Sequence, residues 1–462
     1  MRSRAWSAST GGALRGGIAV LLFLGLVAEV RGEVFGGKAA TFMASLGDVL
    51  FMSVPVLRSS VYLTLWVAVF ALCAGWRTAG RVTPLAACIW LSLVTIAAGI
   101  VWGVAQGGDP KLCLFQTQWF VMTFVVALAV AGVFRTPRDF TLLWNAVLAA
   151  ALWRSAVAVY FCWVLVRTGR VMPPPPYMTS HHDTVLFVCG VLLLVSRAVE
   201  RRGFFGWLQV APFATLILFA IQYNGRRLAW VSLVCGVFVL YLILPRGATR
   251  RRITRTALAA APVMGLYVLA GWGRTEAIFK PVYAFSSQVG ESTNASTETR
   301  EIENYNLIMT LKSNVLLGRG WGRPYDEISR AYSISHVFPW YRWVPHNWTL
   351  GLLAFTGVLG FAAIWLVFPT TVFLGTLAYR AGRSPAARTV SAASTSLVIV
   401  YLLQMLGDMG LGSTTAALLM GSSIAGALRL PMASGAWPRT VPSPRSRAVA
   451  VAVGRAPLPQ AS

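Results

Sequence analysis

Arg226, Arg227, Arg154, Arg300 and His346 are the side chains of this 462-residue chain whose types and settings best suit chemistry. Arg226 and Arg227 stand in Asn224-Gly-Arg-Arg-Leu-Ala-Trp230, between two apolar runs. A guanidinium stays charged and matches phosphate bidentately, so an adjacent pair at such a turn can clamp a phosphate-bearing lipid. The same pair can also snorkel to lipid headgroups. Arg154 lies inside an apolar run, where a charge is costly unless it faces a cavity or an anionic partner. It can face the same phosphate site or pair with Asp408 of a later run. Arg300 stands ahead of Glu301 and Glu303 and, taken alone, reads as a surface residue. His346-Asn347 follows Pro345 and opens a long apolar run, so a capping Asn347 and an interface histidine are structural readings of that pair. Trp340, Tyr341, Trp343 and Trp348 suit a membrane interface or the flat face of a sugar ring.

The elements that must position these groups are apolar. The chain is 56% hydrophobic and 12% charged, with a mean hydropathy of +0.64, whereas soluble domains carry about 25% charge. Repeated apolar runs of about 20 residues predict an all-α polytopic membrane protein. The runs fall near 17–30, 59–76, 84–105, 114–134, 140–166, 184–199, 204–223, 228–245, 257–272, 348–378, 390–407 and 411–428, about twelve spans. Residues 39–57 carry Ser45, Asp48 and Pro55 and read as an interfacial or re-entrant segment. Residues 1–30 have the outline of a signal peptide without a convincing cleavage site, so an uncleaved first helix is expected.

The net charge of +25 raises nucleic acid as a partner. Its distribution argues against that, because arginines concentrate in alternate short connectors: Arg77/Arg81, Arg135/Arg138, Arg197/Arg201/Arg202, Arg246 to Arg255, and Arg380/Arg383/Arg388. That is the positive-inside pattern, with both termini cytoplasmic and anionic membrane lipids as the neighbours. It puts 273–346 on the periplasmic side of a bacterial inner membrane. The segment 273–345 holds eight Lys/Arg and seven Asp/Glu, the balance of a folded external subdomain. The expected division is 1–272 for helices 1–9, 273–346 for the loop, 347–430 for helices 10–12, and a disordered cytoplasmic tail at 431–462. Within the loop, Ile302, Tyr305, Ile308, Met309 and Leu316 predict an amphipathic helix from Arg300 towards Leu317, with Arg300 near its first turn. Gly318, Gly320 and Gly322 would end it sharply. The six cysteines lie in apolar runs without C-x-x-C spacing, and the four histidines, among them the adjacent His181-His182, lack metal-ligand spacing. Neither metal nor cofactor is expected.

Together these residues resemble the O-antigen ligase and polysaccharide polymerase superfamily of Wzy_C-type membrane glycosyltransferases. Its signature is a histidine followed by Asn, Ser or Gln, nine residues, then G-x-x-G; His346-Asn347 with Gly357 and Gly360 fits it. Asn314-Val-Leu-Leu-Gly318-Arg-Gly320-Trp321-Gly322 is similar to the family's N-P-L-x-G-x-G, with valine for proline. Arg226-Arg227-Leu-Ala229 is similar to its S-R-x-A, with arginine for serine; spacing to Ala229 favours Arg227 as the equivalent. Arg300 fits the family's loop arginine. The resemblance covers 224–365. It implies a GT-C-like fold and glycan transfer, without a metal and with inversion, from an undecaprenyl diphosphate donor to an acceptor hydroxyl on lipid A–core or a growing glycan. Arg227 and Arg300, with Arg226, would bind the diphosphate; His346 would take the acceptor's proton. Asn347, Gly318, Gly320, Trp321, Gly357, Gly360 and Arg154 would support them. Repeat-unit polymerisation, of O-antigen or exopolysaccharide, is the nearest alternative. A transporter or flippase is the competing class, and it would usually show two related halves, which this sequence lacks.

Overall fold

A computed structural model of the chain describes residues 2–28, 41–54, 59–74, 83–169, 182–201, 203–289, 295–330, 339–407 and 412–437. Arg77, Arg81, His181, Arg202, Phe338, Asp408 and the tail beyond Trp437 lie outside them. The described residues are mainly helical, with a two-residue strand pairing of Ser53–Val54 with Ser59–Ser60 and irregular stretches at 314–330 and 339–347. In chain order the helices are α1 Arg2–Val27, α2 Thr41–Leu50, α3 Val61–Ala74, α4 Pro84–Ala105, α5 Pro110–Val133 and α6 Pro137–Tyr160. There follow α7 Asp183–Arg201, α8 Phe204–Asn224, α9 Arg227–Ile243, α10 Ala248–Gly271, α11 Lys280–Val289 and α12 Ala295–Ser313. The last four are α13 Trp348–Trp365, α14 Val367–Ala381, α15 Pro385–Gly407 and α16 Thr414–Ala433.

Local chemistry explains where several of these begin. Thr83-Pro84, Asp109-Pro110 and Thr136-Pro137 each put a capping side chain ahead of a proline, whose missing N–H is one a helix start leaves unbonded anyway. Thr136 and Asp139 close a reciprocal capping box. At the end of α8, Gly225 takes φ +69°, a conformation that stops the helix before Arg226.

Among the described residues eight helical stretches are long and apolar enough to cross a membrane, α13 and α14 counting together as one, and three shorter apolar helices accompany them. The buried centre is α5, α7, α15 and α16, which pack on one another. At the periphery, α10 has no buried residue before Gly271. Three sequence expectations are corrected. The run at 348–378 is not one helix but α13 and α14, and α13 itself breaks at Gly357. The tail starts later than Pro431, because α16 carries on through that proline to Ala433. The loop helix starts at Ala295, earlier than expected, so Arg300 lies in its second turn.

Contacts divide the bundle into two ends. Asp109 meets Gly322 at one, where the Asp109 N–H donates to the Gly322 carbonyl at 3.3 Å. At the other, Arg15 meets Asp139 at 2.6 Å and Arg388 meets Glu200 at 2.7 Å.

Candidate active site

The loop is held to the first of these ends by its glycine turn against α4 and α5 and by its two helices. On one side α11 packs on α9, and the Lys280 ammonium donates to the Gln222 carbonyl at 3.2 Å, beside the Arg226/Arg227 turn. On the other side α12 packs on α13.

The face that α12 buries is not the expected one. Tyr305 and Ile308 are exposed, and the buried stripe is Glu303, Asn306, Leu307 and Thr310. A polar stripe is buried here because what covers it is loop backbone, whose donors and acceptors need partners. Asn306 accepts from the N–H groups of Ile328 at 3.0 Å and Ser329 at 2.9 Å, and donates to the Ser329 carbonyl at 2.8 Å. The Thr310 hydroxyl accepts from the Asp326 N–H at 2.8 Å. Ile302 and Tyr305, with Glu301, Ile328 and Ser329, line an open groove of about 450 Å³.

Glu303 supplies the decisive contact on this stripe. Its carboxylate accepts from the His346 backbone N–H at 3.1 Å and stands 3.2 Å from His346 Nδ1. The Glu303 side chain is 5% exposed and that of His346 22%. A carboxylate on Nδ1 favours the tautomer that carries its proton there, which leaves Nε2 as the accepting nitrogen. Asn347 performs both structural tasks open to it: its side-chain oxygen caps α13 by accepting from the Leu350 N–H at 3.1 Å, and its amide donates to Asn304 at 3.1 Å. Sequence reasoning treated Glu303 only as a charge beside Arg300. The available signal was its i+3 spacing from Arg300, which puts both on one helical face.

The two glycine motifs meet each other. Gly357, at φ +65°, breaks α13 and strips several backbone groups of their helical partners. The loop supplies replacements: the N–H groups of Arg319 and Gly320 donate to Ala354 and Phe355 carbonyls at 2.8 and 2.9 Å, and Val358 N–H donates to the Val315 carbonyl at 2.9 Å. A Cβ at Gly318 would collide with Gly357, and one at Gly357 with Leu316. Gly320, at φ +87°, lies against Gly103 of α4, and Gly360 lies close to Thr95 of the same helix. Trp321 is fully buried, with its ring 5.7 Å from Phe355 and 6.2 Å from Phe120. It is a core residue and not an open sugar platform, and Trp348 is buried likewise. Trp340 stays exposed, and the Tyr341 hydroxyl donates to Glu327 at 2.7 Å. Burial, then the bond to Glu327, pushes the Tyr341 phenol up from its ordinary pKa.

Residues 212–365 match the family model Wzy_C, O-antigen ligase. That match, over a third of the chain, supports a family of the O-antigen ligase type. The matched segment runs from within α8 to the end of α13, so it holds the arginine turn, α12, both glycine motifs and His346. Members of that family are glycosyltransferase-like ligases and polymerases acting on lipid-linked glycans; the apolar helices of this chain, with the match, support a multi-pass membrane protein. No curated protein matches the chain.

Within the Wzy_C segment the expected residues fall into separate groups. Arg226 caps α9 and Arg227 begins it, both half-buried; Arg300 is exposed on α12, one turn before Glu303. Among the described residues the hydrogen bonds of His346 go to Glu303 and not to an arginine. Arg154 belongs elsewhere. Its Nε and Nη2 donate to the two Asp183 oxygens at 2.8 Å each, with 5% and 1% of the side chains exposed. A buried carboxylate one helix away answers its charge, where Asp408 or a shared phosphate site was expected.

Proposed function

We propose that this protein moves a glycan from an undecaprenyl diphosphate carrier to a hydroxyl of lipid A–core at the periplasmic face of the bacterial inner membrane. The observation that carries this reading is the buried Glu303 carboxylate on His346 Nδ1, inside the segment matched by the O-antigen ligase family. His346 Nε2 takes the acceptor's proton as its oxygen attacks the anomeric carbon. The bond from that carbon to the diphosphate breaks, and a single displacement inverts the centre. Arg227 and Arg300, joined by Arg226, bind the diphosphate and stabilise the charge it gains, so this route needs no metal. The loop, anchored at the α8–α9 turn and on α13, acts as a lid that brings the two groups to one substrate. Arginine-rich connectors support the inward orientation of the opposite end. The shorter apolar helices and α7 complete a set of about twelve crossings.

His346→Ala tests the reading. A strain lacking the gene and complemented with this variant should lose long glycan chains from its lipopolysaccharide, while the protein stays in the membrane at normal abundance. General-base catalysis is worth about 10²–10⁴-fold, so transfer within tenfold of normal would remove His346 from that role. If the unsubstituted protein restores chain length on a core already bearing single repeats, the reaction is polymerisation and the acceptor is a growing glycan.

A further inference from the structure

The opposite end of the bundle holds a basic cavity that the transfer reaction does not use. It measures about 460 Å³ and is lined by Leu244, Pro245, Arg246, Arg250 and Arg380. It lies beyond the C-terminal end of α9, a helix of 17 residues. At 1.5 Å per residue, that is about 25 Å from Arg227.

Connector arginines need no ligand to explain them when topology alone asks for positive charge. Two observations go further. Arg380 comes from α14 and meets Arg246 and Arg250, which lie over a hundred residues earlier, in one cavity. Arg250 is also held in place: its guanidinium sits 4.7 Å above the Tyr241 ring, and Nη1 donates to the Leu244 carbonyl at 3.4 Å. Among the described residues the carboxylates at this end are committed elsewhere. Asp139 pairs with Arg15 at 2.6 Å; Glu200 pairs with Arg388 at 2.7 Å and accepts from the Tyr379 hydroxyl at 2.9 Å. Three arginines therefore line one cavity, and among the described residues no protein anion balances them. The start of α10 adds unbonded backbone N–H groups beside Arg250. The cavity wall of Leu244 and Pro245 is apolar, and the helices leaving it carry exposed Leu242 and Leu258.

We infer that Arg246, Arg250 and Arg380 form a binding site for a phosphate group, borne by an anionic phospholipid whose acyl chains run along α9 and α10. A phosphate accepts from several guanidinium groups at once, and a basic pocket between helices suits such a headgroup.

Native mass spectrometry of the full chain, released from nanodiscs of equimolar phosphatidylglycerol and phosphatidylcholine, tests this. The unsubstituted protein should retain phosphatidylglycerol in preference. The R246Q/R250Q/R380Q variant should lose that preference by about tenfold or more, since each such arginine adds to the attraction of an anionic headgroup. R380Q alone, on a separate helix, should lose part of it and guards against misfolding of the triple variant. Equal retention of both lipids by the unsubstituted protein, or an undiminished preference in both variants, overturns the site. Adding 10 mM inorganic phosphate should leave the lipid bound; displacement would reassign the cavity to a soluble anion and overturn the lipid assignment.

Discussion

At the scale of the residue, the proposed base role of His346 rests on its contact with Glu303. Glu303 is buried and touches both the backbone N–H and Nδ1 of His346. In the proposed reaction it acts through the histidine, as a positioning residue. Glu303→Gln should keep the backbone bond, since an amide oxygen still accepts. It would also let Nδ1 lose its proton to Nε2, because the amide nitrogen can donate. Transfer should fall by as much as about 10⁴-fold, the cost of the same carboxylate-to-amide change beside the histidine of a Ser-His-Asp triad. The KM for donor should change little while kcat falls. Thermal stability matching the unsubstituted protein, together with undiminished kcat, would count against the positioning role.

At the scale of the element, the break at Gly357 is a docking device. A continuous α13 would satisfy its own backbone and offer nothing to the loop. The left-handed glycine releases donors and acceptors that residues 315–320 take up. Gly357→Ala should therefore cost about 1–3 kcal/mol for a backbone conformation, φ +65° and ψ −176°, that essentially only glycine adopts, with the collision against Leu316 adding to it. Faster protease cleavage within the loop and a lower melting temperature are the expected readouts. Cleavage at the normal rate would mean that α13 can straighten without releasing the loop.

At the scale of the whole molecule, buried charge ties helices together. Arg154 of α6 and Asp183 of α7 form a bidentate pair almost closed to solvent. Removing one partner strands the other, and such losses cost about 3–5 kcal/mol. Asp183→Asn should reduce the amount of folded protein recovered from the membrane and lower its melting temperature. The double change Arg154→Met with Asp183→Leu should restore most of that stability, because the desolvation cost of both charges disappears. If the double variant is as unstable as the single, the pair's role is not mutual neutralisation.

By itself the sequence determined that the chain is an apolar helical bundle, because burial in lipid or protein needs long apolar helices and these leave an unmistakable composition. The boundaries of α4 were legible to the residue, since Thr83-Pro84 caps it and Gln106-Gly107 follows its end. His346-Asn347 and the glycine motifs were legible as a family signature, later matched over 212–365. Tertiary structure alone decided what each touches. The buried face of α12 could not be read from apolar spacing, because its partner is polar backbone some 20 residues further along the chain. The choice of Asp183 for Arg154, and of Glu303 for His346, depends on which helix ends fold side by side. No local pattern encodes that, because a carboxylate looks the same in sequence whether it meets water or a buried cation.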